Sequence, residues 1–114
     1  MPEIRTGLDL CEIARMEKVT PHFLSRVFTP EEQTYADSRG AQRSASLAGM
    51  WAAKEALLKA LGTGIAFPMT HAEIVHGPEG EPSYALHGQL EEKCRGALVS
   101  LSITHEGDMA AAVC

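Results

Sequence analysis

Polar and apolar residues follow two rhythms along this chain, and the change of rhythm falls near its middle. At the start, Ile4, Thr6, Leu8 and Leu10 alternate with Arg5, Gly7 and Asp9, which predicts a strand. Asp9-Leu10-Cys11-Glu12 has capping-box spacing, and Ile13, Met16 and Val19 give the helix expected after it an apolar side, ended or bent at Pro21. Thr29-Pro30-Glu31-Glu32 is a second helix start: a Thr cap, Pro at the first helical position and acids in the first turn. Asp37-Ser38-Arg39-Gly40 is a turn cluster that closes it.

A long helix is then expected from Ser44 or Ser46 to a left-handed cap at Gly62. Leu47, Met50, Trp51, Leu57, Leu58 and Leu61 share one broad face, with Lys54 in its middle, while Gly49, Ala52, Ala53, Ala56 and Ala60 cover much of the back. With so little solvated surface this helix is expected to be buried. Past Gly62-Thr63-Gly64 the period becomes two. Ala72 to His76 and Ser83 to His87 flank a Gly- and Pro-rich turn, a hairpin signal. A short helix through Leu90 to Arg95 stops at Gly96, and a second hairpin runs from Leu98 to Thr104 and from Met109 to Cys114, turning at His105 to Asp108. The order predicts an α+β fold with a mainly antiparallel sheet and one long buried helix.

Composition narrows the class. The 114 residues, 45% hydrophobic and 22% charged, are read as a single globular domain over 1–114. No apolar run approaches the ~20 residues of a membrane span and no signal region opens the chain, so the expected compartment is the cytoplasm, without membrane contact. Cys11, Cys94 and Cys114 are odd in number and widely spaced, which suits neither a disulfide framework nor a zinc site. The net charge of −5 argues against a nucleic-acid partner, yet it is unevenly spread: residues 1–59 hold eight acids and eight bases, and 60–114 hold seven acids against Lys93 and Arg95. A local basic patch is therefore confined to the first half.

Charges on a buried helix must be paired, bound to something, or led out along their stems. Lys54 is read as snorkelling out of the core. Glu55 and Lys59 are either an i, i+4 pair or a functional pair. Asp9 alone reads as a helix cap and His105 as a polar turn residue. Asp9 with Glu55 could hold a hard cation such as Mg²⁺, which is commonly bound by one or two carboxylates plus phosphate oxygens. Lys59, one turn beyond Glu55, would neutralise those oxygens.

In order, "GLDLCEIAR" from Gly7, "FTPEE" from Phe28, "WAAKEALLKALGTGI" from Trp51 and "SITHEGDMAAAV" from Ser102 resemble the successive motifs of the bacterial holo-acyl-carrier-protein synthases, short 4'-phosphopantetheinyl transferases. The resemblance implies a homotrimer with active sites between subunits. It implies Mg²⁺-dependent transfer of phosphopantetheine from coenzyme A to a serine of an apo acyl carrier protein, releasing adenosine 3',5'-bisphosphate, a step serving fatty acid biosynthesis. Asp9 and Glu55 match the metal ligands, and Lys59 the lysine beside the pyrophosphate. Gly62, Thr63, Gly64, Thr104 and His105 fall at coenzyme-binding positions, and Arg43 is expected at the coenzyme as a stand-in for a family arginine. Glu55, Lys59 and His105 are the expected catalytic residues, while Arg15 and Arg26 would meet the acidic carrier protein. Met50 stands where the family has an arginine, leaving Arg43 or Arg39 to supply that charge. A metal-dependent phosphoester hydrolase and a non-catalytic coenzyme-binding assembly module are the alternatives to weigh.

Overall fold

The computed structural model of the chain describes residues 3–114. Its centre is the helix α3, Arg43–Leu61, which the sequence made apolar all round. Leu47, Ala48, Gly49, Met50, Ala52, Ala53, Lys54, Ala56, Leu57 and Leu58 along it are all buried. Gly62 ends the helix in the left-handed region at φ 71°. There the Gly62 and Thr63 amides donate to the carbonyls of Lys59 and Leu58, the bond pair that closes a helix at a glycine.

Against one side of α3 lies a three-stranded antiparallel sheet of β1 (Leu8–Glu12), β5 (Met109–Val113) and β4 (Ser102–Glu106), with β5 in the middle. Opposite residues in such a sheet share a face, so the register places Asp9, Ala112 and Ile103 in one row and Cys11, Ala110 and His105 in the next. Ala110 and Ala112 are buried with Cys11 in the common core, so these rows face α3. Leu8, Leu10 and Val113 therefore point the other way, and each stands exposed. The opening alternation was legible, but its apolar set turns outward. The strand also begins at Leu8, later than the alternation suggested.

The close approach of β1 to α3 has a local cause. A side chain on Gly7 would run its Cβ into the Ala56 carbonyl and within 2.7 Å of the Ala60 amide. Only glycine lets the strand lie this near the helix, and two residues later Asp9 inherits that position.

The first hairpin, β2 (Ala72–His76) and β3 (Pro82–Leu86), forms a separate two-stranded sheet, so the strands divide into two antiparallel sheets. It is held to the rest by buried polar groups. Lys54, fully buried, donates to Glu32 Oε1 at 2.9 Å and to the carbonyls of Met69 and Ala72 at 3.0 and 2.9 Å. Glu32 Oε2 accepts from the Ile74 amide at 2.8 Å, and the Tyr84 hydroxyl donates to the Ala53 carbonyl at 2.7 Å. Lys54 thus does not snorkel: its ammonium spends all its donors inside, where an unpaired charge would be costly. Burial still pulls its pKa down, against the Glu32 charge and hydrogen bond that push it up.

Two short helices precede α3. Helix α2, Pro30–Ser38, opens with a full capping box between Thr29 and Glu32, at the predicted place. Helix α1, Pro21–Val27, was not expected: Pro21 starts a helix instead of ending one, behind a Thr20 side chain that caps the Phe23 amide. The segment from Ile13 to Glu17 is a short 3₁₀ helix without a side-chain cap, so Asp9 to Glu12 is no capping box but part of β1. After β3, helix α4 covers Gly88–Lys93. The final hairpin begins at Ser102, later than Leu98, and includes His105 within its strand.

Candidate active site

Where β1 crosses the second half of α3, three groups far apart in sequence come together. The Lys59 ammonium donates to Asp9 Oδ1 at 2.9 Å and to the Leu8 carbonyl at 3.1 Å. It reaches across to the strand, and no Glu55–Lys59 ion pair forms among the described residues. The bond to Asp9 and its charge raise the Lys59 pKa. Glu55, one turn earlier on α3, is half-buried. Burial pushes its carboxyl above the usual range, the negative charge of Asp9 pushes it further, and Lys59 and Arg15 pull it back. Arg15 joins this edge from the 3₁₀ turn after β1, its guanidinium 6.0 Å from the centre of the Trp51 ring.

The cluster is two carboxylates, Asp9 and Glu55, flanked by two cations, Lys59 and Arg15. Among the described residues no group of three or more His, Cys, Asp or Glu side chains is placed to hold a metal. Two carboxylates with open surroundings nevertheless fit a cation that completes its shell with water or phosphate oxygens, as Mg²⁺ does. Beside them, Gly62 and Gly64 both adopt positive φ, 71° and 61°, and the Thr63 hydroxyl donates to the Gly64 carbonyl. That leaves an open loop one turn beyond Lys59.

The other expected site residues lie elsewhere. His105 Nε2 is 2.9 Å from the Ala45 carbonyl, beside the first half of α3. Ala45 precedes Glu55 by ten residues, about 15 Å of helix. Thr104, its neighbour in β4, faces the opposite side of the sheet, with Ser102 and Glu106. Arg43 begins α3 and pairs with Asp37 at 2.8 Å. Arg26 sits exposed in the last turn of α1. Met50 is fully buried and lines a small cavity of about 150 Å³ together with Arg39 and His105. A larger cavity, about 570 Å³, lies between residues 3–6 and 97–100 and touches none of the expected site residues.

Sequence reasoning missed the side of the fold that holds α2 to β2. Glu73 accepts from the Thr29 hydroxyl and pairs with His87, both at 2.8 Å. No local pattern signals this, because its members come from three elements.

At Gly7 the first strand lies against the buried helix, and this brings Asp9 to the edge that holds Glu55 and Lys59. The chain belongs to the 4'-phosphopantetheinyl transferase superfamily, whose family model matches residues 5–114. Its named relatives are holo-[acyl-carrier-protein] synthases, and it is an enzyme of that kind. It is 48% identical over 93 residues to the enzyme of Gluconobacter oxydans, a match covering 75% of this chain and 59% of that one. To the enzyme of Caldanaerobacter subterraneus subsp. tengcongensis it is 36% identical over 118 residues, covering 97% and 92%. The crystal structure of the Helicobacter pylori enzyme in complex with coenzyme A superposes with a TM-score of 0.82 at 32% identity, covering 95% and 96%.

Proposed function

We propose that this chain transfers 4'-phosphopantetheine from coenzyme A to a serine hydroxyl of an apo acyl carrier protein, with Mg²⁺, and releases adenosine 3',5'-bisphosphate. The reaction forms a bond from the serine oxygen to the β-phosphorus and breaks the pyrophosphate bond to the leaving bisphosphate, and the hydroxyl proton must go to a base. The observation that carries the reading is the meeting of Asp9, Glu55 and Lys59 across fifty residues of sequence.

Asp9 and Glu55 would hold the Mg²⁺, which when bound neutralises phosphate oxygens and favours the charge that develops on them. Lys59 lies against the same charge, and a fixed cation there stabilises the transition state more than the ground state. Glu55 takes the proton directly or through a water that it orients. The Gly62 to Gly64 loop presents backbone to the coenzyme without side-chain obstruction. Arg15 and Arg26, both exposed, offer positive charge to an acidic carrier protein from an enzyme that is itself acidic.

Thr104 and His105 complete the coenzyme site from a neighbouring copy in a homotrimer. The separation of His105 from Glu55 along α3 supports this, as does the outer sheet face with Leu8 and Leu10 62% and 60% exposed. One domain over 1–114, acting in the cytoplasm on carrier proteins of fatty acid synthesis, completes the reading. No helix among the described residues is long and apolar enough to cross a membrane.

The test is the intact mass of an apo acyl carrier protein after incubation with this protein, coenzyme A and Mg²⁺. A gain of one phosphopantetheine arm, lost with chelator and lost in Glu55→Ala at unchanged helical content, is expected. Coenzyme A consumed without modification of the carrier would replace the reading with hydrolysis, and wild-type transfer by Glu55→Ala would remove Glu55 from it.

A further inference from the structure

Gly49 runs against the ordinary preferences of a helix. It stands inside α3, between Ala48 and Met50, where glycine is less favourable than alanine. It is not among the glycines of positive φ, so its backbone is one that any residue adopts. What sets the position apart is space. A Cβ there would lie 2.9 Å from Ile103 Cγ2 and 3.1 Å from His105 Nε2, closer than such atoms pack. Both neighbours come from β4, two residues apart and therefore on one face of the strand. The strand crosses the helix directly over Gly49.

The same crossing supplies the hydrogen bond of His105. Ala45 lies four residues before Gly49, one turn back on the same face of α3. Its carbonyl stands 2.9 Å from His105 Nε2. A carbonyl can only accept, so Nε2 carries the hydrogen and the neutral ring presents a bare lone pair at Nδ1. The side chain is exposed, and among the described residues this is the one hydrogen bond that holds it. The two atoms that a Cβ would meet differ in how far they can give way. The Ile103 methyl is attached directly to its own Cβ, whereas Nε2 is the tip of a ring that turns about two bonds. The ring is the part that yields, and turning it breaks the bond to Ala45.

We propose that Gly49 is a positioning residue: having no side chain, it lets His105 reach the Ala45 carbonyl, and that bond fixes both the direction of the ring and the nitrogen that bears the proton. The effect on transfer rests on the proposed function, in which His105 serves the active site. The placement of the ring does not.

The experiment records three things for the wild type and Gly49→Ala: nitrogen spectra of isotope-labelled histidine at alkaline pH, denaturant unfolding, and transfer to the carrier protein. His105→Ala assigns the ring signals. The wild type should show His105 protonated at Nε2 alone. In Gly49→Ala the two tautomers should mix and transfer should fall about tenfold or more, the scale on which a misplaced group acts. Gly49→Ala should also cost less stability in a His105→Ala background, where no ring stands in the way. Loss of transfer with the Nε2 tautomer intact would reduce Gly49 to a packing role and overturn the proposal, as would full transfer by Gly49→Ala or an equal stability cost in both backgrounds. Should Gly49→Ala not fold, Gly49→Ala/Ile103→Ala removes the methyl contact, keeps the ring contact and carries the same expectations. A wild type that transfers nothing, yet shows the tautomer and the coupling described, would remove the reaction and leave Gly49 in its role.

Discussion

Gly7 and Asp9 show how a single missing side chain sets up a charged cluster. The helix and strand approach so closely at Gly7 that a methyl group has nowhere to go but into the Ala56 carbonyl. Gly7→Ala should therefore separate β1 from α3, lowering the unfolding midpoint and costing about 1 to 3 kcal/mol, as overpacking does. The same variant should weaken transfer by moving Asp9 relative to Glu55 and Lys59. Denaturant unfolding beside a transfer assay would check both, and a fully stable, fully active Gly7→Ala would contradict the role given to the close approach. Much at this scale was legible. Glu55 and Lys59 stood out because charge on a buried helix needs a reason, and Asp9 because it could complete a carboxylate pair with Glu55; the structure brings all three together. Lys54 was misread because its partner Glu32 lies twenty-two residues upstream, on a helix whose own pattern explains that acid as a cap. One carboxylate serving a cap, a lysine and a strand amide cannot be read from any window of sequence.

Elements are held to one another by these long-range polar links, and they carry separate predictions. Lys54→Met removes the cation from a fully buried pair, leaving the Glu32 charge without its counter-ion and taking a donor from the Met69 and Ala72 carbonyls, so a loss of about 3 to 5 kcal/mol is expected in denaturant unfolding. A variant as stable as the wild type would show that the pair adds nothing. Glu73 ties α2 to the β2–β3 hairpin. Burial alone would raise its pKa, but hydrogen bonds from His87 and Thr29 outweigh this and hold it below the ordinary carboxylate range. A carboxyl depressed in the folded state adds stability above its unfolded pKa, and that stability fades as the pH falls through the folded value. Glu73→Gln should accordingly be less stable near neutrality and show a flatter decline on acidification, read from melting temperatures across the acid range. At the element scale the sequence was most legible where signals were local: the Thr29-Pro30 start, the Gly62 stop and the first hairpin all lie where expected. Helix α1 carries the same Thr-Pro signal at Thr20-Pro21, which the reading of Pro21 as a terminator obscured. Alternation showed that β1 has an apolar face but could not show which neighbour covers it.

For the whole molecule, the outward row of Leu8, Leu10 and Val113 is the feature that a lone chain leaves unexplained. In the proposed trimer it is covered, and Leu10→Glu should shift the protein from trimer to monomer in light scattering or sedimentation while lowering transfer at least tenfold. A Leu10→Glu monomer of full activity would dissociate catalysis from assembly. The cluster around Glu55 and the histidine beside Ala45 sit at different stations along one rigid helix, so neither end of α3 can be bent to meet the other. Sites divided in this way allow two defective chains to repair each other. If subunits can exchange, Glu55→Gln and His105→Ala variants, each inactive alone, should regain activity on mixing, with about a quarter of the sites in randomly mixed rings inheriting both intact halves.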